Sequence, residues 1–245
     1  MGTAIVITSG KGGTGKTTCC AAIASFLAGA GHRTVAIDCD IGLRNLDLAL
    51  GLTDSALWDF SDLLEGRVSR AEGLTPHPDI ENLWFLSAPT ELTPPEVDPA
   101  AFASFIDGLR QEYDYILIDS PAGLGPGFQL ATRGVDRAIV IATNDASSLR
   151  DAQRTVAELD HLKTVHLVMN RIQTKLLRKL RATIDDAMNA AGLPLIGVVP
   201  EDPQVMLCAN LGRPLTTRGR RGAALACWNI AQRLEGRRVP VMRIR

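Results

Sequence analysis

Short apolar runs alternate along the chain with segments whose apolar residues recur at helical spacing. The apolar runs predict β-strands at residues 3–8, 33–38, 83–87, 113–119, 137–143, 164–170 and 195–200. The other segments predict helices at residues 17–30, 55–65, 100–111, 127–134, 147–162, 174–191, 202–211 and 219–234. This alternation is typical of a mostly parallel, twisted sheet covered by helices on both faces. We therefore predict a three-layer α/β fold.

The chain reads as a single domain followed by a short tail. Its 245 residues, 46% of them hydrophobic, can bury a large core. The Pro-containing stretches at 75–78 and 93–99 predict loops, and no linker or repeat divides the sequence. We predict one domain over residues 1–235 and a basic tail over residues 236–245.

The sequence also bears on the cellular compartment in which we expect the protein. The first predicted strand begins at residue 3, which argues against a signal peptide, and no apolar run approaches the ~20 residues of a membrane span. The five cysteines form no C-x-x-C pair and the four histidines are scattered. We expect a cytoplasmic protein with free thiols and no protein-ligated transition metal.

Charge is unevenly distributed. Residues 213–245 carry nine arginines and one acid, whereas the rest of the chain is acidic and the whole has a net charge of −1. A basic end on an acidic body suggests an anionic partner, such as a membrane surface or nucleic acid. A solvated basic helix face explains the same pattern, and both interpretations stay open.

Residues 10–17, Gly-Lys-Gly-Gly-Thr-Gly-Lys-Thr, fit the phosphate-binding pattern G-x-x-x-x-G-K-[ST] between a predicted strand and a predicted helix. Glycines let consecutive backbone N–H groups turn inward around an anion, and the helix adds its positive end. Lys16 is expected to neutralise the β- and γ-phosphates, and Thr17 to occupy one Mg²⁺ position. The segment predicts a nucleotide-phosphate site with an additional lysine, Lys11.

Carboxylates follow two of the predicted strands. Ligands of parallel sheets bind at the carboxyl ends of strands, where Asp38, Asp40 and Asp119 lie. One such carboxylate typically holds Mg²⁺ through water, and another can orient the attacking water. Strand-end aspartates also occur in ordinary turns, which is the alternative for each of them singly. Because no Asn-Lys-x-Asp occurs, adenine is favoured over guanine.

Residues 11–18, 38–47 and 119–123 resemble the MinD/ParA family of deviant Walker A P-loop ATPases, as do residues 147–154, 169–171 and 197–202. The resemblance runs from about residue 3 to 235. It implies a P-loop NTPase fold and an ATPase that binds ATP or ADP with Mg²⁺. It also implies an ATP-dependent homodimer that attaches reversibly to the cytoplasmic face of the membrane.

The resemblance also assigns roles to single residues. Lys11 would reach the partner subunit's phosphates, Lys16 would bind phosphate in cis, and Asp40 would position water. Thr17 would hold Mg²⁺, with Asp38 and Asp119 acting through water. The expected nucleotide contacts are Gly12, Gly13, Thr14, Gly15, Lys16, Thr17, Thr18, Gly123, Asn170, Arg171, Pro200, Glu201 and Asp202.

Partners follow from the same resemblance. Division-inhibitor and ATPase-stimulating proteins of the Min type would bind the helix at 147–162 together with the loop at 41–45. The tail departs from the family pattern, because Pro240 disfavours the amphipathic helix with which relatives usually finish. A second departure is Asn144-Asp145, where many relatives have Pro-Glu. A ParA-like DNA-partition or other cargo-positioning ATPase is the alternative, and an iron–sulfur carrier is a third.

Overall fold

The computed structural model describes residues 1–53, 55–90, 96–181 and 183–242. Its strands form one eight-stranded sheet. They are β1 (Thr3–Thr8), β2 (Thr34–Asp38), β3 (Thr75–Pro76), β4 (Leu83–Leu86), β5 (Tyr115–Asp119), β6 (Arg137–Ala142), β7 (Thr164–Ile172) and β8 (Leu195–Pro200). The spatial order is β3-β4-β2-β5-β1-β6-β7-β8, and every pairing is parallel except the antiparallel pair β3–β4. The central strand β1 therefore carries the phosphate-binding segment out of the middle of the sheet.

Helices cover both faces of the sheet. They are α1 (Lys16–Gly29), α2 (Leu46–Leu50), α3 (Phe60–Leu64), α4 (Arg70–Gly73), α5 (Pro99–Leu109), α6 (Pro126–Ala131), α7 (Ala146–Glu158), α8 (Thr174–Leu180), α9 (Ile184–Ala191), α10 (Pro203–Asn210) and α11 (Gly222–Leu234). A short 3₁₀ helix, Leu215–Arg218, lies between α10 and α11.

The alternation along β1 shows how the core is divided. Ile5 and Ile7 belong to the apolar layer that includes residues of α1 and α11, whereas Ala4 and Val6 belong to the opposite layer, which includes residues of α5 and α9. Successive side chains of a strand point to opposite faces, and all four of these are fully buried. Two apolar layers around one sheet confirm the predicted three-layer α/β fold.

Several predicted boundaries are wrong. The helix predicted over residues 174–191 is two helices, because Arg181 has φ 49° and Thr183 starts α9 in a capping box with Asp186. The helix predicted over 55–65 is only α3, and the helix predicted from 219 begins at residue 222. The predicted loop at 75–78 contains β3, and the short helices α2 and α4 were missed. Part of the loop predicted at 93–99 lies outside the described residues.

The last described segment, residues 236–242, lies against the body in irregular conformation. The Arg233 guanidinium of α11 donates to the carbonyls of Val239 (3.0 Å) and Pro240 (2.6 Å), and to Ile196 of β8 (2.6 Å). Val241 and Met242 line an apolar cleft formed by β7, β8, α8 and α9. The rest of the tail, residues 243–245, lies outside the described residues. Among the helices that are described, none is long and apolar enough to cross a membrane.

Candidate nucleotide-binding site

The phosphate-binding loop connects β1 to α1 and depends on glycines with left-handed backbone. Gly13 has φ 75° and Gly15 has φ 92°, a region that other L-residues rarely adopt. A Cβ on Gly15 would lie 2.2 Å from Nδ2 of Asn170, whereas one on Gly13 would meet nothing within 4 Å. Asn170 approaches because its Nδ2 donates to the Thr14 carbonyl at 2.7 Å. The end of β7 therefore holds the loop from the side.

Lys16 lies inside the site, at the first position of α1 and only 8% exposed. Burial lowers the pKa of its ammonium, while the carboxylates of Asp119 and Asp40 act in the opposite direction. The two acids come from the end of β5 and the loop after β2, so strand ends separated along the chain converge on one lysine. The fold thus brings Lys16, Asp40 and Asp119 together at one edge of the sheet.

Asp38 is fully buried, and its carboxylate organises the loop that follows β2. Its Oδ1 accepts the N–H of Asp40 at 2.8 Å, and its Oδ2 accepts the N–H groups of Asn45 and Leu46, both at 3.0 Å. Burial raises the pKa of Asp38 to about 6, although these backbone donors lower it. Asp38 thus fixes residues 40–46, a role that sequence reasoning missed.

Asp119 stands beside Asp38, since β5 and β2 pair these two residues in register. Burial and the Asp38 charge raise the pKa of Asp119, against the opposing effects of its hydrogen bond with Thr17 and the charge of Lys16. Its Oδ1 is buried without a hydrogen-bond partner in the described part of the chain. An unpartnered buried carboxylate oxygen is costly, and a hydrated divalent cation would satisfy it.

These side chains fit a Mg²⁺ site. Thr17 would offer its hydroxyl, and Asp119 with Asp38 would bind through water. When bound, the cation neutralises phosphate charge that lysines alone leave uncompensated. Oxygen ligands of this kind suit Mg²⁺, which usually keeps several of its own waters.

Lys11 points away from this cluster. Its ammonium donates to Oδ1 of Asp145 at 2.7 Å and to Oγ of Ser147 at 3.0 Å, both at the start of α7. Burial opposes ionisation of Asp145, but the hydrogen bonds from Lys11, Ser147 and neighbouring donors together hold its pKa well below its ordinary value. Asp145 also caps α7 by accepting the N–H of Ser148 at 2.9 Å. The second departure noted in the sequence, Asn144-Asp145, therefore supplies the partner of the second lysine.

A cleft of about 330 Å³ opens beside the phosphate loop. It is lined by the ends of β7 and β8, including Asn170, Arg171, Pro200, Glu201 and Asp202. Arg171 has φ 56° and bonds Oε2 of Glu201 at 2.9 Å, so this pair forms part of the wall. The amide of Asn170 is occupied by Thr14 and by the N–H of Arg171, so its expected bond to adenine remains a prediction.

The segment after β5 faces the phosphate loop from the other side. A Cβ on Gly12 would lie 3.9 Å from that of Ala122, and a Cβ on Gly123, which has φ 85°, would meet nothing within 4 Å. Gly123 is therefore near the loop, and its proposed contact with the γ-phosphate remains a prediction. Thr18 lines the cleft beside Gly13 and Gly15.

Comparisons with known proteins agree with this geometry. The family profile described as "CobQ/CobB/MinD/ParA nucleotide binding domain" matches residues 5–215. The septum site-determining protein MinD of Bacillus subtilis is 37% identical over 246 residues, covering 98% of this chain and 92% of that protein. This chain belongs to the MinD family.

Solved structures of the MinD family share the whole fold. The chain in the MinC:MinD cell division protein complex of Aquifex aeolicus has a TM-score of 0.90 and 35% identity, with 98% of both chains covered. The MinD of Pyrococcus horikoshii complexed with Mg-ADP has a TM-score of 0.85 and 30% identity, with 96% of both chains covered. For this MinD-family chain, sequence reasoning missed Asp145 and Ser147 as partners of Lys11. Their position beside a predicted helix start was the available signal.

Proposed function

We propose that this chain is a MinD-like ATPase that dimerises with ATP, hydrolyses it slowly in the dimer and regulates placement of the division septum. The observation that carries the proposal is the different placement of the two loop lysines. Lys16 is buried between carboxylates inside the site, whereas Lys11 is held at the surface by Asp145, its side chain 33% exposed. A lysine held at the surface by an exposed ion pair can exchange that partner for another anion.

In this proposal Lys16 binds phosphate in cis and Lys11 reaches the nucleotide of the partner subunit. A cation supplied where charge develops in phosphoryl transfer is worth roughly 10³–10⁵ in rate. Asp40, whose pKa burial raises while Lys16 lowers it, orients the attacking water. Hydrolysis then depends on dimerisation, because neither subunit alone supplies both lysines to one nucleotide.

Membrane association and Min-type partners belong to the same proposal. The Aquifex aeolicus structure is a complex of MinC with MinD, and its matched chain corresponds to this one over nearly its whole length. The α7 surface beside Lys11 is our candidate surface for such division-inhibitor and ATPase-stimulating proteins. The dimer would present two basic tails to the anionic cytoplasmic face of the membrane, which gains affinity by avidity.

Substitution of Lys11 tests the mechanism. Lys11→Ala should retain nucleotide binding, because Lys16 and the loop backbone remain, but its rate of hydrolysis should fall by roughly 10³-fold or more. The matched control is Lys163→Ala, which removes an exposed lysine that lies just before β7 and outside the phosphate-binding loop. Turnover of ATP and the mass of the ATP-bound species would be measured together. Normal turnover in Lys11→Ala would refute the role in trans.

A further inference from the structure

Two leucines are exposed at the end of α10. Leu207 and Leu211 are 44% and 57% exposed and lie one helical turn apart, so both lie on the same side. Met206, next to them, is 68% exposed. Cys208 of the same helix is buried, which identifies the inward side of α10. The outward side therefore presents large apolar groups to solvent.

Four arginines follow these leucines in the segment between α10 and α11. Arg213, Arg218, Arg220 and Arg221 are all exposed. None of them pairs with a carboxylate within the described ranges of the chain. Arg220 instead stacks over the ring of Trp228 at 4.2 Å. These are four of the nine arginines that make the C-terminal part of the sequence basic.

Two acids near this segment, Glu201 and Asp202, form hydrogen bonds with other groups. Glu201 bonds Arg171 at 2.9 Å. Asp202 accepts the N–H groups of Gln204 and Ala223, both at 2.9 Å, at the starts of α10 and α11. Neither acid forms an ion pair with the four arginines, and the single charge of Asp202 leaves a net positive charge beside the leucines.

We propose that Leu207, Leu211, Arg213, Arg218, Arg220 and Arg221, here called the α10 surface, bind the headgroup region of a bilayer that contains anionic lipids. This rests on the membrane association in the proposed function and adds a folded contact to the tail. The bilayer interface accepts apolar side chains at the acyl boundary and cations among the phosphates.

A bilayer fits this surface better than nucleic acid does. Arginines alone would suit the phosphates of either partner. Leu207 and Leu211 gain only when they leave water, and a phosphate backbone offers them no apolar phase. The exposed leucines and the unpaired arginines are adjacent in the chain, and the 3₁₀ helix that ends at Arg218 packs against α10, so the two groups lie in one region of the surface.

The test uses the full chain with ATP and vesicles of phosphatidylcholine with or without phosphatidylglycerol. One variant combines Arg213→Gln, Arg218→Gln and Arg221→Gln, leaving Arg220 on its tryptophan. Its matched control combines Lys175→Gln, Arg178→Gln and Lys179→Gln, positions on α8 that remove the same charge. Vesicle co-sedimentation should fall by about 10-fold or more in the arginine variant, since each cation near an anionic surface contributes measurably. The control should lose far less.

A second variant tests the apolar contribution. Leu207→Gln with Leu211→Gln should weaken binding to anionic vesicles by roughly 10-fold. The control pair Leu57→Gln and Leu180→Gln changes leucines that are 88% and 56% exposed elsewhere. A third variant, Arg238→Gln with Val241→Gln, removes charge and apolar surface from the tail alone.

The outcomes separate the two proposals. If only the tail variant loses ATP-dependent vesicle binding, the α10 surface is wrong and membrane association stands. If the parent chain hydrolyses ATP but binds no vesicle, membrane association fails and the α10 surface fails with it. If the α10 variants lose binding to a DNA duplex and keep vesicle binding, the surface binds nucleic acid instead. Selective loss of vesicle binding in both α10 variants supports the proposal.

Discussion

Replacing Asp145 by Asn tests whether the ion pair at α7 restrains dimerisation. Asn accepts the Ser148 N–H at a helix start about as well as Asp does, so the cap of α7 is retained. The charge that holds the Lys11 ammonium at 2.7 Å is lost. Asp145→Asn should therefore free Lys11 without unfolding the start of α7.

The expected change in the dimer dissociation constant follows from the solvent exposure of the Lys11–Asp145 ion pair. The Lys11 and Asp145 side chains are 33% and 50% exposed, so the pair has the modest strength of a surface ion pair, about 0.2–1 kcal/mol. Two such pairs must break when a dimer forms, which costs about 0.4–2 kcal/mol in total. Removing this cost should lower the dimer dissociation constant roughly 2- to 30-fold.

Sedimentation velocity with ATP would measure the dissociation constant, in an Asp40→Ala background that keeps ATP intact. The gain should shrink as salt rises, because exposed pairs are screened. Ser147→Ala serves as the control, since it removes the 3.0 Å contact and leaves the charge of Asp145. A weaker dimer in Asp145→Asn would refute the argument and would place Asp145 across the dimer interface instead.

Three further predictions concern stability and the tail. Burial raises the pKa of Asp38 to about 6 from an ordinary 3.8, so the folded state favours the protonated carboxyl. The contribution of Asp38 to the free energy of unfolding should therefore fall as pH rises from about 4 to 6. Denaturant titrations at pH 5 and 7 should show this slope in the parent and less of it in Asp38→Asn; equal slopes would contradict it. Gly15→Ala should destabilise the fold and weaken nucleotide binding more than Gly13→Ala does. Both substitutions place alanine in a left-handed backbone conformation, which costs about 1–2 kcal/mol, but only a Cβ at residue 15 collides with Asn170. Arg233→Gln should speed tryptic cleavage of the tail several-fold, and an unchanged rate would show that its two contacts with the tail carbonyls of Val239 and Pro240 do not hold the tail.

The phosphate loop and its strand were predictable because their signals are local. Glycines occupy the left-handed positions and Lys16 follows at a fixed spacing. The residues that shape the loop and the lysine that binds phosphate are therefore all found within eight consecutive residues. The strand-end acids were predictable for a similar reason, since apolar runs end directly at Asp38 and Asp119. The convergence of Asp40 and Asp119 on Lys16 follows from the topology of a parallel sheet.

The contacts between distant segments were not predictable in this way. Lys11 and Asp145 are 134 residues apart in sequence, and only the position of β6 beside β1 brings them together. The three backbone bonds to Asp38 depend on the path of an irregular loop. By contrast, the break between α8 and α9 was available locally, because Thr183 and Asp186 have the spacing of a capping box.

The two edges of the sheet are protected by different means. At one edge, β3 is two residues long and ends in Pro76, which has no N–H to offer another strand. At the other edge, the Arg233 guanidinium occupies the Ile196 carbonyl of β8 and holds the tail carbonyls beside it. A tail that leaves the body to bind a partner would remove two of the three carbonyls that hold the Arg233 guanidinium beside β8. Protection of this edge against pairing with another chain is thus linked to the position of residues 239 and 240.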